Sequence, residues 1–186
     1  MLACAGDDAN AGGRRPTWAA IWSALARVPD PEIPVVSVLE LGIVRAVEWD
    51  PIDTGALVVR VTPTYTGCPA TQVILQTIEA ALRQAGVTAL RIDTVLAPAW
   101  SAAWLAPGAA RKLREYGIAP PHSAIPGMVT VDTSGLGPLR RARATVPCPR
   151  CGSPRTQLVT QFGSTACKAQ YRCVDCLEPF DFFKPL

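Results

Sequence analysis

Two Cys-x-x-Cys pairs close the chain, Cys148-Pro149-Arg150-Cys151 and Cys173-Val174-Asp175-Cys176, with 21 residues between them. Each such turn directs both of its sulfurs to one side, so two turns joined by a hairpin can converge four thiolates on one tetrahedral ion. The interval slightly exceeds the usual spacing of about 15 to 20 residues and has room for a strand, a turn and a returning strand. Gly152 follows the first pair, where a knuckle turn favours a residue tolerant of positive φ. Arg150, Lys168 and Arg172 lie close enough in sequence to offset the charge of the thiolates. A zinc ribbon held by Cys148, Cys151, Cys173 and Cys176 is the first reading, and an iron-sulfur site is the rival, because four cysteines suit both. Unrelated buried cysteines or disulfides would not require two identical spacings in so short a segment. Cys167, inside the interval, stays open: it can replace a ligand, support the set from outside it, or join Cys68 at an interface between the two domains.

At 186 residues the chain is long enough for a sizeable core, and with 49% hydrophobic and 18% charged residues its composition is that of a globular protein. Arginine, aspartate or proline interrupts every apolar run before it reaches membrane-span length. Residues 1–15 lack the charged start and apolar core of a secretory signal and read as a disordered lead. The chain is therefore expected in the cytoplasm, where reducing conditions favour metal ligation over structural disulfides. Net charge is +3, but Thr133 to Val174 contains seven basic residues and no acidic one, leaving −4 for the rest. A basic stretch beside a ribbon suits a nucleic-acid-binding regulator, a solvated linker or a dock for an acidic protein. The scarcity of aromatics there makes nucleic acid the weaker of these.

Periodicity before the ribbon predicts a small α+β domain over residues 16–121, a mixed sheet with covering helices. Trp18, Ile21, Trp22 and Leu25 form one face of a helix that Thr17 can cap. Asp30-Pro31-Glu32-Ile33-Pro34 ends it. Strands are expected over 43–49, 56–62 and 89–96, and a helix over 69–85 carrying Val73, Ile74, Ile78, Ala81 and Leu82. A further helix is expected from about Gly108 to Tyr116. Prolines and glycines mark 122–146 as connector, with 128–131 a short strand, and the ribbon module occupies 147–186. That module is too small to hold a core alone, so metal binding should supply much of its folding energy.

Cys68, in Thr62-Pro63-Thr64-Tyr65-Thr66-Gly67-Cys68-Pro69, falls at the junction of a predicted strand and a predicted helix. With Pro69 suited to the first helical position, the unpaired amides and dipole of the helix would favour a thiolate. Such a sulfur can ligate a metal, hold a transient cluster, act as a nucleophile or simply pack. A nucleophile needs a base, and the only histidine, His122, sits in the proline-rich connector. Asp30 and Glu32 are the acids best placed to matter, yet helix termination explains them. Neither a phosphate loop nor a carboxylate set suited to a di-iron centre is evident, so no catalytic residue is assigned.

Asp30-Pro31-Glu32-Ile33-Pro34, Leu41-Gly42-Ile43-Val44 and Thr64-x-x-Gly67-Cys68-Pro69 resemble the small domain shared by SufT-like and cytosolic iron-sulfur maturation adaptors. The cysteine of that family's Cys-Pro motif matches Cys68. The segments Cys148-Pro-Arg-Cys151-Gly-Ser, Phe162-Gly-Ser-Thr-Ala-Cys167-Lys-Ala and Tyr171-Arg-Cys173-x-x-Cys176-x-Glu178-Pro-Phe180 resemble the PaaD family, which belongs to bacterial phenylacetyl-CoA epoxidase systems. The resemblance implies an accessory, non-catalytic subunit in aerobic phenylacetate breakdown. It further implies partners among the oxygenase and reductase subunits and a role in maturing or delivering their iron or iron-sulfur centres. On this view the four ribbon cysteines hold structural Zn2+, and Cys68 handles iron or a transient cluster.

Overall fold

The structure, a computed structural model, describes residues 15–52, 55–121 and 145–185. The expectations placed on the N-terminal lead, on His122, on most of the connector with its strand at 128–131, and on Arg140, Arg141 and Arg143 lie outside the described residues. Helix α1 (Trp18–Ala26) begins at Thr17, whose backbone is extended and whose side-chain oxygen accepts the N–H of Ala20 at 3.2 Å, a cap worth about 1 kcal/mol. Its apolar stripe buries Ile21, Ala24 and Leu25, while Trp18 rests against Trp49 with ring centroids 6.1 Å apart. Strands β1 (Val44–Trp49) and β2 (Ala56–Val61) pair antiparallel, and β3 (Ala89–Thr94) lies parallel to β2 at the other edge. The parallel pair requires a crossover, which α2 (Thr71–Gln84) supplies while burying Ile74, Ile78 and Leu82 at i, i+4 and i+8. Val73, expected on that face, is 48% exposed, because it falls one residue off the buried row.

A 3-10 turn (Ala102–Trp104) and helix α3 (Ala109–Glu115) follow, so the first module is α+β with helices against a three-stranded sheet. Gly42 is the tight point of the connection into β1. Its φ is +69°, and a Cβ there would meet the Trp104 carbonyl oxygen at 2.6 Å. Beside it, the Leu41 carbonyl accepts the indole N–H of buried Trp100 at 2.9 Å.

The second sheet runs β4 (Ile118–Ala119), β7 (Pro179–Phe183), β6 (Lys168–Cys173), β5 (Thr156–Thr160). Strand β4 is the last piece of the stretch that periodicity assigned to the first domain, yet it hydrogen-bonds parallel to β7. Two residues are too few to show a strand period, and the partner lies far along the chain. Alternation along β7 divides its aromatics. Phe180 and Phe182 turn to a small core with Ala119, Val146, Cys148, Ala169 and Cys173. Phe183 turns the other way, is 1% exposed, and meets Trp100 edge-on at 5.6 Å inside the main core. Cys167 joins that same main core. The ribbon is therefore packed onto the adaptor-like module through one face of its sheet.

Candidate metal centre and a thiol site at the junction

The two knuckles are built alike. In the first, the Cys148 N–H reaches the Ser153 carbonyl at 2.9 Å and Gly152 takes φ +75°. In the second, the Cys173 N–H reaches the Glu178 carbonyl at 2.9 Å and Leu177 takes φ +62°. Both turns thus need a left-handed residue just after the second cysteine, and only the first has the glycine that adopts it without steric cost. The strand pairing of β5, β6 and β7 then brings the knuckles face to face. Cys148 Sγ lies 3.7 Å from Cys176 Sγ, Cys151 Sγ lies 3.6 Å from Cys173 Sγ, and all four sulfurs lie within 4.8 Å of one another.

Those distances test what the quartet fits. Thiolates at the corners of a tetrahedron with Zn–S bonds of about 2.3 Å stand about 3.8 Å apart. The quartet therefore matches a single tetrahedral ion, whereas a [2Fe–2S] or [4Fe–4S] cluster divides the four thiolates among two or four irons and spreads the sulfurs further. Cys148 and Cys173 are buried and Cys151 and Cys176 exposed, so one side of the site is sealed by the ribbon core. Before a cation binds, the thiols hydrogen-bond one another so that one ionises at its neighbours' expense, because adjacent thiolates repel. The backbone N–H of Cys176 foremost draws the Cys173 thiol below its usual range. For Cys176 the backbone N–H of Glu178 favours the thiolate, but desolvation and the sulfurs of Cys151, Cys173 and Cys148 outweigh it and push the thiol up to about 12. A divalent ion resolves that repulsion, because thiolates bind it and thiols do not.

Cys167 lies outside the quartet, just before β6, where the ribbon joins the core of the first module. It is 4% exposed, with Sγ 3.0 Å from Thr165 Oγ1 and 4.0 Å from Glu32 Oε2. Burial pushes its thiol up, and negative charge on Glu32 or Cys68 adds to that, against the Thr165 hydroxyl and Lys168. Cys68 comes from the turn between β2 and α2, where its N–H reaches the Tyr65 carbonyl and its own carbonyl accepts the Thr71 N–H, each at 3.2 Å. It is half-buried against the main core, as is Tyr65. The Tyr65 phenol crosses to the ribbon and takes the backbone N–H of Ala166; burial, then negative charge on Cys68, Cys167 or Glu32, raises its pKa. Pro69, expected at the first helical position, instead precedes the N-cap Ala70, because the Cys68–Thr71 turn closes with an i to i+3 bond before α2 begins. Cys68 thus stands two residues outside the cap, where the helix dipole has weakened.

Asp30 holds the acidic side of this junction. Its Oδ1 accepts the N–H groups of Glu32 and Ile33 at 2.9 and 2.8 Å, fixing the turn that presents the Glu32 carboxylate to Cys167. Burial raises the Asp30 pKa despite those two bonds.

Against known proteins the chain divides where the structure changes sheets. Residues 19–91 match the family described as iron-sulfur cluster assembly protein, and residues 133–184 match the PaaD zinc beta ribbon domain. A curated relative from Escherichia coli (strain K12), provisionally named as the D subunit of 1,2-phenylacetyl-CoA epoxidase, is 43% identical over 174 residues, 88% of this chain and 90% of its own. The chain belongs to the PaaD family of phenylacetyl-CoA epoxidase subunits. Among solved structures, a domain of unknown function (DUF59) from Bacillus anthracis is 27% identical with a TM-score of 0.47, covering 51% of this chain and 89% of that one. A conserved hypothetical protein from Thermotoga maritima is 28% identical with a TM-score of 0.44, covering 52% and 93%.

In this PaaD family member the structure gathers the four ribbon cysteines and, separately, brings Cys68 and Cys167 to one junction. Of the other two members of that junction, Glu32 stood out in the sequence with Asp30, and Tyr65 carried no signal of its own. Glu32 is explained locally by helix termination, and Tyr65 shows its role only once the ribbon is docked. Among the described residues, three of the four basic side chains of the Thr133–Val174 stretch pair with the ribbon's own acids. Arg150 pairs with Glu178, Arg155 with Asp175, and Lys168, 6% exposed, lies 3.9 Å from Asp181. Among the described residues no helix is long and apolar enough to cross a membrane.

Proposed function

We propose that this chain is an accessory, non-catalytic subunit that assists the maturation or delivery of iron or iron-sulfur centres to the oxygenase and reductase subunits of a phenylacetyl-CoA epoxidase system in the cytoplasm. Cys148, Cys151, Cys173 and Cys176 hold structural Zn2+, and Cys68 transiently binds the iron or cluster that is passed on. The observation that carries this reading is the contrast between the two thiol sites. The quartet is a closed tetrahedral set with no open coordination position, which suits a structural ion. Cys68 is a half-buried thiol in the segment that matches iron-sulfur cluster assembly proteins, outside any closed set. A bound zinc would neutralise the clustered thiolates, fix the two knuckles, and so hold β6 and β7 in the register that places Cys167 and Phe183 in the main core.

The test replaces Cys68 by serine in the full chain and follows two quantities. Zinc content should stay at one per chain, while the partner oxygenase made in cells carrying the variant should lose iron and activity. Full partner activity with the Cys68→Ser variant would remove Cys68 from the mechanism. Arg150 and Arg155 already satisfy the ribbon's own acids, so the described part of the basic stretch does not favour a nucleic-acid interface.

A further inference from the structure

We propose that the tip of the second knuckle is a docking surface for another subunit of the epoxidase system, with Val174 and Leu177 as apolar anchors beside the exposed sulfurs of Cys151 and Cys176. The partner face that fits it is apolar at its centre and basic around that centre. The inference rests on the reading of an accessory subunit given above and names the surface through which such a subunit would engage its partner.

Leu177 is the residue that needs a reason. Its φ is +62°, a left-handed conformation that costs any residue with a Cβ. The equivalent position of the first knuckle holds Gly152 at φ +75°, so the turn asks for the backbone conformation and not for a side chain. Strain of this kind persists where packing offsets it or where function requires it. Packing does not offset it, because Leu177 is 59% exposed and belongs to neither hydrophobic core. Val174, three residues earlier on the same turn, is 43% exposed, and its N–H is fixed to the Arg155 carbonyl at 2.9 Å. Apolar residues exposed singly are ordinary, whereas here two share one tight turn and one of them is strained. Phe162, also exposed, differs in having a partner within the chain, the Lys184 ammonium 4.6 Å from its ring centroid.

Charge selects the partner. Cys151 and Cys176 are the exposed members of the quartet, and four thiolates on one divalent ion leave two negative charges in excess. The basic residues that sequence placed nearby do not offset them. Arg150 is paired with Glu178, Arg155 with Asp175, and Lys168 faces Asp181. Arg172 lines the cleft on the face of β6 opposite Cys173. The excess therefore stays on the solvent side of the site, next to the two apolar side chains. A basic partner surface would neutralise it, while an apolar centre excludes water from the contact.

The experiment measures, by biolayer interferometry, the affinity of the full zinc-loaded chain for the purified oxygenase and reductase subunits of its epoxidase system. Wild type should bind one of them, with an affinity that falls as salt rises. Leu177→Asn suits a left-handed backbone and removes the apolar anchor; it and Val174→Ser should each weaken binding at least about tenfold. Both should keep one zinc per chain by elemental analysis and melt near wild type, which separates lost contact from lost fold. Phe162→Ser should bind as wild type does. Wild-type affinity in both Leu177→Asn and Val174→Ser, or a loss confined to Phe162→Ser, overturns the docking surface and leaves the accessory role standing. An affinity independent of salt overturns the basic partner face. Failure of wild type to bind either subunit removes the accessory reading itself.

Discussion

Phe183→Ala tests whether the two modules fold as one. The ring belongs to the last ribbon strand, yet it is 1% exposed in the core of the first module and meets Trp100 at 5.6 Å. Truncating a fully buried phenylalanine costs about 3 to 5 kcal/mol, within which the edge contact with Trp100 accounts for about 1 kcal/mol. With a urea dependence of about 2 kcal/mol per molar, the unfolding midpoint should fall by about 1.5 to 2.5 M. All five tryptophans lie between Trp18 and Trp104, so tryptophan emission reports on the first module alone. The ribbon is followed separately by the absorbance of Co2+ substituted at the four cysteines. Both midpoints should move down together, although the substitution lies in the ribbon. If the emission midpoint stays where it was while the Co2+ signal is lost early, Phe183 stabilises only the ribbon and the shared core described above is wrong.

Gly42→Ala should destabilise by about 2 kcal/mol or more, since it combines a left-handed backbone with a Cβ 2.6 Å from the Trp104 carbonyl; an unchanged melting temperature would contradict the close approach. The knuckles predict opposite responses. Gly152→Ala should lower the melting temperature of the zinc-loaded chain, and Leu177→Gly should raise stability by about 0.5 to 1 kcal/mol, because the left-handed positions are equivalent and only one is strained. A fall with Leu177→Gly would show that its side chain outweighs its backbone. For Asp30 the folded pKa is raised above 3.8, so the native state holds this proton more tightly than the unfolded chain. Its contribution is fully present below that value and is lost as pH rises through the folded pKa. Asp30→Asn keeps an oxygen for the Glu32 and Ile33 amides and removes the proton, so it should flatten the stability profile just above pH 3.8 by that residue's share, as denaturant titrations across acid pH would reveal. Zinc affinity should fall with falling pH, because Cys176, held up to about 12 before the ion binds, must lose its proton to become a ligand. An affinity independent of pH would place the ion elsewhere.

The ribbon was legible because its determinants are local. Two residues between cysteines set the direction of both sulfurs, Gly152 supplies the turn, and the four sulfurs need only a hairpin to meet. Helices α1 and α2 were equally plain from apolar spacing and from Thr17, to within two or so residues at their ends. The sequence also marked Cys68 as exceptional, from its place between a strand and a helix, and left Cys167 open between the ribbon set and a meeting with Cys68 at the interface of the two domains. Which residues surround those two thiols was decided by tertiary structure alone. A thiol finds its neighbours through packing, and the packing here depends on the parity of one strand. Because Phe183 points opposite to Phe180 and Phe182, it enters the core of the first module, where Cys167 sits beside Glu32 and Cys68 packs against the same core. Strand periodicity shows that two faces exist, but what each face meets is fixed by contacts between segments far apart in the chain, and no local spacing records them.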